Sequence, residues 1–222
     1  MGEFIYTNFF INLDISNYLK IKDKIPKKVN LLAVSKGFNC EDIKTIYHLG
    51  QKCFGESKFQ EAYVKQSTLK HFRDIEWHFI GRLQTNKIRK IVKNFQYIHS
   101  VDSFEKLEKI SNASLEENKN PSIMLQVKLS NDPTKAGFNS KILLEKWDLM
   151  KKFRNVNIKG LMTINPKGLS SQENKVLFRK CRRLADLIDL QDCSMGMSGD
   201  WEEAIGSGAT WIRLGSIIFG ER

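Results

Sequence analysis

Lys36 has the type and position of an amine nucleophile. It follows the unbroken apolar run Leu31 to Val34, with Ser35 between them, so it stands where a buried strand is expected to end. Burying an ammonium group is costly unless it is paired, and partial desolvation lowers the pKa of lysine and makes the amine reactive. A carbonyl compound bound there would form a Schiff base. The alternative is a lysine that extends to solvent at the rim.

Two segments near the C-terminus are rich in Gly and Ser, and each follows a predicted strand. They are Ser194 to Asp200 and Arg213 to Gly220. Small residues let backbone N–H groups approach an anion, and predicted helix starts after Ser198 and at Ser216 favour phosphate. Tight turns without a ligand are the alternative. A lysine and a phosphate site together indicate a phosphorylated aldehyde, of which pyridoxal phosphate is the obvious example.

Arg213 is expected to point at such a ligand. Strand alternation places it on one face with Gly215, opposite Leu214. A guanidinium donates hydrogen bonds and cannot accept a proton, so it would leave a pyridine nitrogen unprotonated and the ring a weak electron sink. That argues against demanding carbanion chemistry. The alternative is a salt bridge with one of three acidic residues, Glu202, Glu203 or Glu221.

The histidines and cysteines predict no metal site. Neither type shows a metal-binding spacing, and His78 is the histidine placed to line the site. The four cysteines are read as free thiols of a reducing compartment, so a cytoplasmic protein is expected. Met1 to Leu13 makes a poor signal peptide, and no apolar stretch is long enough to cross a membrane.

Short apolar runs alternate with amphipathic segments, and this pattern predicts eight strand–helix units. The predicted fold is a single-domain (β/α)8 TIM barrel spanning residues 1–222, with its core at about 29–220 and an extra helix at about Asp14 to Ile21. A doubly wound open sheet is the alternative, since periodicity does not show closure.

Three local predictions concern helices. Asp102 and Glu105 resemble a capping box, and Asp200 is expected to cap a short helix through Ile205. One face of the helix at about 171–189 is expected to point inward, namely Val176, Leu177, Cys181, Leu184 and Ile188.

The 222 residues carry a formal net charge of +11. The basic residues stand mostly singly or in pairs, whereas a nucleic-acid footprint normally clusters. A solvated lysine-rich surface is therefore the preferred interpretation, and no nucleic-acid partner is expected. Steeply salt-dependent binding to RNA would be the signature of the opposite case.

Seven segments resemble the pyridoxal-phosphate homeostasis proteins, and they occur in the family's order. They are Leu31 to Lys36, Phe54 to Glu56, Glu76 to Lys87, Lys135 to Phe138, Gly160 to Ile164, Ser194 to Asp200 and Arg213 to Gly220. The resemblance implies a barrel similar to the N-terminal domain of alanine racemase, with pyridoxal phosphate held as a Schiff base on Lys36.

The resemblance also implies site residues. Ser198, Gly215 and Ser216 would hold the phosphate, and Arg213 would face the pyridine nitrogen. Three further cofactor contacts are expected at Ser57, His78 and Met162. The family usually has Asn after Phe-Gly-Glu, where this chain has Ser57.

The implied function is intracellular pyridoxal-phosphate homeostasis by a monomeric, non-catalytic carrier or buffer, with apo-enzymes that use the cofactor as possible recipients. Racemases of this fold carry a second, β-rich domain that supplies a tyrosine base, and nothing after Gly220 except two residues would form it. The alternative function is a pyridoxal-phosphate-dependent amino-acid racemase or a related enzyme.

Overall fold

The computed structural model describes residues 13–130, 132 and 136–221. Within these ranges the strands, in chain order, are β1 (Asn30–Val34), β2 (Cys53–Glu56), β3 (Glu76–Phe79), β4 (Tyr97–Val101), β5 (Ser122–Lys128), β6 (Phe138–Asn139), β7 (Asn157–Met162), β8 (Asp192–Ser194) and β9 (Trp211–Leu214). The helices are α1 (Ile15–Lys24), α2 (Cys40–His48), α3 (Phe59–Thr68), α4 (Ile88–Asn94), α5 (Phe104–Glu116), α6 (Ser140–Met150), α7 (Ser171–Leu187), α8 (Trp201–Ile205) and α9 (Ser216–Phe219). A 3₁₀ turn at Thr85–Lys87 precedes α4.

Eight parallel strands close into a barrel. The ring runs from β1 through β5 to β7, β8 and β9, and β9 pairs with β1. The two-residue β6 pairs with β5 beside the ring. Closure excludes the open sheet and confirms the predicted single-domain (β/α)8 barrel.

The two faces of the barrel wall bury different layers. Outward-facing strand residues such as Ile212 and Leu214 pack against the helices in the large apolar core. Inward-facing residues form a small cluster that includes Met162 and Trp211. Full burial of each large aliphatic side chain stabilises the fold by roughly 1.5–3 kcal/mol. Because Arg213 lies between Ile212 and Leu214, alternation turns its side chain into the barrel, as predicted.

Two helix-start predictions need correction. The N-cap of α5 is Ser103, whose hydroxyl accepts from the Lys106 N–H, whereas Asp102 forms an ion pair with the Lys106 amine at 2.8 Å. Asp200 does occupy the N-cap position of α8, but its carboxylate makes no capping bond to that helix and instead accepts from the Met197 N–H at 2.6 Å. In both cases the carboxylate pairs with a nearby donor instead of capping the helix.

The inward face of α7 is shifted from the prediction. Cys181, Leu184 and Ile188 are buried, but Val176 is 41% exposed and Phe178 is buried instead. The prediction included Val176 in the apolar stripe, whereas the helix turns the larger Phe178, two residues further on, into the core.

Two parts of the chain on which a prediction rests lie outside the described residues. They are residues 1–12, which belong to the segment expected to make a poor signal peptide, and Lys135 of the Lys135 to Phe138 motif. In the described ranges, no helix combines the length and the apolar character that a membrane crossing requires.

Candidate functional site

A cavity of about 620 Å³ opens at the carboxyl ends of the barrel strands. In parallel barrels this end carries the loops in which sites form. Seven of the eight predicted site residues line the cavity: Lys36, Ser57, Met162, Ser198, Arg213, Gly215 and Ser216. The barrel thus brings together residues from five strand ends that are far apart in the chain.

Lys36 lies on the turn between β1 and α2 and is half-buried. Within the described part of the chain, its amine takes part in no hydrogen bond or ion pair. Lys65 is the contrasting case, because it is buried and its amine donates to three oxygens. The amine available for reaction in this cavity is therefore that of Lys36.

A buried ionic cluster holds the turn that carries Lys36. The Lys65 amine lies 2.8 Å from Glu56 and 2.7 Å from Glu61, and it donates to the Ser35 carbonyl at 2.7 Å. Glu61 accepts from the Gly37 N–H. Lys36 is thus fixed on both sides, through the residue before it and the residue after it.

Burial and charge act in opposite directions on the two carboxylates of this cluster. Burial raises the pKa of Glu56, although Lys65 beside it and a 2.7 Å hydrogen bond from the Ser35 hydroxyl favour its ionised form. Glu61 is only partly buried, and hydrogen bonds from Lys65 and Gly37 outweigh the effect of burial and lower its pKa. The arrangement keeps the Lys65 amine paired with both carboxylates. Gly37 has φ 79°, a conformation that glycine adopts readily.

The two Gly/Ser-rich loops meet at the rim of the cavity. The Ser216 hydroxyl lies 3.3 Å from that of Ser198. The Ser198 loop is closed by the Asp200 carboxylate, and a side chain at Gly199 would meet nothing within 4 Å, so the tip of the loop faces open space. Two hydroxyls and an unobstructed backbone at one point can bind an anionic oxygen group.

Arg213 forms the inner wall of the cavity. Its guanidinium is buried and donates to the Ser194 hydroxyl at 2.8 Å and to the Thr163 carbonyl at 2.9 Å. Burial lowers the pKa of Arg213 to about 10, so it stays protonated at neutral pH. Among the described carboxylates, Glu202, Glu203 and Glu221 do not pair with it, so the salt-bridge alternative is not what the structure shows.

His78 is the predicted site residue that the structure does not place at the cavity. It lies inside the barrel below the cavity, with its Nδ1 2.9 Å from Nε2 of His99. His99 in turn contacts the Ser194 hydroxyl at 2.9 Å, so His78 reaches Arg213 only through two other residues. Burial lowers the pKa of both histidines, which favours their neutral forms. Its position within β3 agrees with the prediction, but its depth in the barrel keeps it out of the cavity lining.

Ser194 and Thr163 lie in segments that the sequence marks at strand ends, but their hydrogen bonds to Arg213 were not predicted. Glu61 and Lys65, which hold the Lys36 turn, were not singled out from the sequence. The i, i+4 spacing of Glu61 and Lys65 signals a helix pair, but their link to Ser35 depends on how α3 packs on the barrel.

Comparisons with known proteins agree with the fold. The family model described as alanine racemase, N-terminal domain, matches residues 15–222. A Synechocystis protein named pyridoxal phosphate homeostasis protein is 44% identical over 213 residues, covering 93% of this chain and 98% of its own length. An Aquifex aeolicus protein of the same name is 37% identical, covering 86% of each chain.

Solved structures give the same result. PipY of Synechococcus elongatus, with PLP bound, superposes with a TM-score of 0.89 at 39% identity, covering 92% of this chain and 99% of that one. An alanine racemase of Clostridium difficile superposes with a TM-score of 0.77 at 13% identity, and the match covers 93% of this chain but 56% of the racemase. The second likeness shows a shared fold.

Proposed function

This chain belongs to the pyridoxal phosphate homeostasis protein family, and from that premise we propose that it binds pyridoxal 5'-phosphate and holds it covalently through Lys36. The family relationship and the PLP-bound PipY structure support binding of the cofactor. The observation that carries the residue assignment is the unpaired Lys36 amine in a cavity that also presents two serine hydroxyls and a buried arginine.

The cavity fits this cofactor in three respects. Pyridoxal phosphate supplies an aldehyde that condenses with a primary amine, a pyridine nitrogen and a phosphate. Ser198 and Ser216 offer hydroxyls for the phosphate, and Gly215 leaves the backbone accessible because it carries no side chain. Arg213, fixed by Ser194 and Thr163, offers N–H donors to a ring nitrogen and no proton acceptor.

The remaining cavity residues supply walls. Met162 belongs to the apolar layer inside the barrel and offers a flexible thioether surface to a ring. Ser57 follows β2 at the rim, where its hydroxyl replaces the longer amide that the family usually has. His78 is not among the residues proposed to touch the cofactor.

We further propose that the protein works as a cytoplasmic carrier or buffer and donates the cofactor to apo-enzymes. All four cysteines are free thiols, as expected in a reducing compartment. A monomer is proposed, since the cavity is built from one chain. Transfer of the cofactor to an apo-enzyme, followed by recovery of that enzyme's activity, tests the carrier role.

The binding proposal is tested by cofactor uptake. Purified protein is titrated with pyridoxal phosphate, and the absorbance of the bound form is followed against Lys36→Met and Lys58→Met. Lys58 is an exposed lysine near the same rim and outside the cavity lining, so it is the matched control. We expect saturable uptake in the wild type and the control, and its loss in Lys36→Met. Equal uptake by all three proteins would contradict the assignment.

A second assay tests whether the protein is a racemase or a related enzyme. Amino acids are incubated with the loaded protein in heavy water, and exchange of the α-hydrogen is followed. The carrier proposal expects no exchange above that of free pyridoxal phosphate, whereas catalytic exchange abolished in Lys36→Met would replace it with an enzyme.

A further inference from the structure

Three side chains of different ligand types meet at the amino end of the barrel, away from the cofactor cavity. They are the Cys53 thiol, the Glu76 carboxylate and the His78 imidazole, and their ligand atoms all lie within 4.8 Å of one another. Glu76 and His78 are two residues apart on β3, and Cys53 of β2 pairs in register with Glu76. Strand alternation therefore turns all three to the inside of the barrel.

Two of the three separations come close to those between ligands of a tetrahedral metal ion. The Cys53 sulfur lies 3.4 Å from Oε1 of Glu76, and Nε2 of His78 lies 3.0 Å from the same oxygen. Zinc binds sulfur at about 2.3 Å and nitrogen or oxygen at about 2.0–2.1 Å, so neighbouring ligands of a tetrahedral zinc are about 3.3–3.6 Å apart. The two hydrogen-bonded separations lie within a few tenths of an ångström of these values, and the third, between the Cys53 sulfur and a ring nitrogen of His78, is at most 4.8 Å.

The imidazole of His78 has the support that metal-ligating histidines usually have. Its Nδ1 lies 2.9 Å from His99, and its ring stacks on Tyr97 with the centroids 4.3 Å apart. A metal at Nε2 requires the proton on Nδ1, where it donates to His99. The second nitrogen of His99 then donates to the Ser194 hydroxyl at 2.9 Å. Every nitrogen of the two rings thus has a partner.

Charge and access also suit a divalent ion. A thiolate and a carboxylate carry two negative charges, which a divalent cation balances, and the histidine remains neutral. The Glu76 side chain is 37% exposed, and Cys53 is half-buried and lines a surface groove, so an ion can enter from solvent. Without metal, burial and the neighbouring Glu76 raise the pKa of Cys53 to about 12, which keeps the thiol protonated.

We propose that Cys53, Glu76 and His78 form a binding site for a borderline-soft divalent metal ion, with Zn²⁺ as the natural occupant. The ion displaces the thiol proton, which leaves to solvent, and bonds form to Sγ of Cys53, an oxygen of Glu76 and Nε2 of His78. Water takes the fourth position. Three protein ligands and one open position are the usual composition of a zinc site that is not fully closed. The site does not depend on the cofactor proposal.

The test uses Co²⁺ alone as a spectroscopic probe of reduced wild-type protein. A thiolate-bound cobalt ion gives a charge-transfer band in the near ultraviolet and visible bands typical of tetrahedral coordination. We expect one equivalent to bind with these bands, one proton to be released, and an excess of Zn²⁺ to abolish the spectrum. Because a thiol must ionise, the apparent affinity is expected to fall about tenfold for each unit by which the pH is lowered.

Variants identify the ligands. Cys53→Ser is expected to abolish the charge-transfer band, and Glu76→Gln to weaken binding at least about tenfold. Both residues are partly exposed, so the variants avoid the folding risk of changing buried His78. Cys40→Ser is the matched control, since Cys40 is also a half-buried free thiol. Absence of stoichiometric binding, or a band that survives in Cys53→Ser and is lost in Cys40→Ser, would overturn the proposal.

Discussion

Replacement of Lys65 by methionine is expected to destabilise the protein and to release the turn that carries Lys36. The Lys65 side chain is 6% exposed and its partner Glu56 is fully buried, so solvent does not screen the pair. Methionine keeps most of the side-chain volume and removes the charge. The change therefore leaves the Glu56 carboxylate buried without a cation. One of its oxygens already has no hydrogen-bond partner among the described residues.

The expected loss of stability follows from how Glu56 responds when its partner Lys65 is removed. It can take up a proton, which at pH 7 costs about 3.4 kcal/mol for a carboxyl whose ordinary pKa is 4.5, at about 1.4 kcal/mol per unit. This agrees with the loss of about 3–5 kcal/mol when a buried pair is broken from one side. In a chain of this size, that loss lowers the Tm by roughly 6–20 °C.

The assay is urea unfolding of wild type and Lys65→Met at several pH values. The protonated Glu56 of the folded variant binds one proton more than the unfolded chain does above pH 4.5, so the variant loses stability as pH rises. The deficit relative to wild type is therefore expected to shrink by up to about 2 kcal/mol between pH 7 and 5.5. Uptake of pyridoxal phosphate is expected to weaken in parallel, since Lys65 also donates to Ser35 beside Lys36.

Lys109→Met is the matched control. Lys109 and Glu105 have the same i, i+4 spacing and an N–O distance of 2.7 Å, but both side chains are exposed. We expect no resolvable change in unfolding or uptake. The reasoning is refuted if Lys65→Met unfolds like the wild type, or if its deficit does not change with pH.

Three further results are expected. Burial lowers the pKa of His78 and His99. The folded state therefore resists a protonation that the histidines of the unfolded chain accept below about pH 6.5. The free energy of unfolding should fall by up to about 2.7 kcal/mol between pH 7.5 and 5.5. Gly160→Ala should destabilise the barrel by about 3 kcal/mol or more in thermal unfolding, because its Cβ would lie 2.1 Å from the Asp192 carbonyl oxygen. Ser216→Glu should reduce pyridoxal-phosphate uptake at least about tenfold, through repulsion of the phosphate, with the Tm unchanged.

Each of these expectations has a control. His99→Gln should reduce the pH slope by about half, since it removes one of the two buried histidines. Gly199→Ala should be tolerated, because nothing lies within 4 Å of the added carbon. Ser216→Thr should retain uptake because it keeps the hydroxyl. A flat pH profile, a stable Gly160→Ala or full uptake by Ser216→Glu would contradict the corresponding argument.

The residues at the cavity were predictable because they stand at strand ends. An apolar run followed by Lys36, and two strands followed by Gly and Ser, identify the ends by residue type, and barrel closure brings such ends to one face. Arg213 was predictable from alternation within β9.

Other contacts depend on how two elements pack or pair, which the residue pattern within a single strand or helix does not reveal. The Glu56 and Lys65 pair requires the docking of α3 on β2, and the meeting of Cys53 with Glu76 requires the register of two strands. His78 was expected to line the site from its position within β3, and it does lie within that strand. Strand alternation gives the inward direction of its side chain but not its depth, and the structure places it in the barrel interior below the cavity.

The most direct test of the covalent assignment is borohydride reduction of the protein loaded with pyridoxal phosphate, followed by digestion and peptide mass mapping. Reduction fixes the cofactor to the amine that holds it. We expect the added mass on the peptide that contains Lys36, at a stoichiometry approaching one. Label on a different lysine, such as Lys58, or no label on a protein that binds the cofactor, would contradict the account.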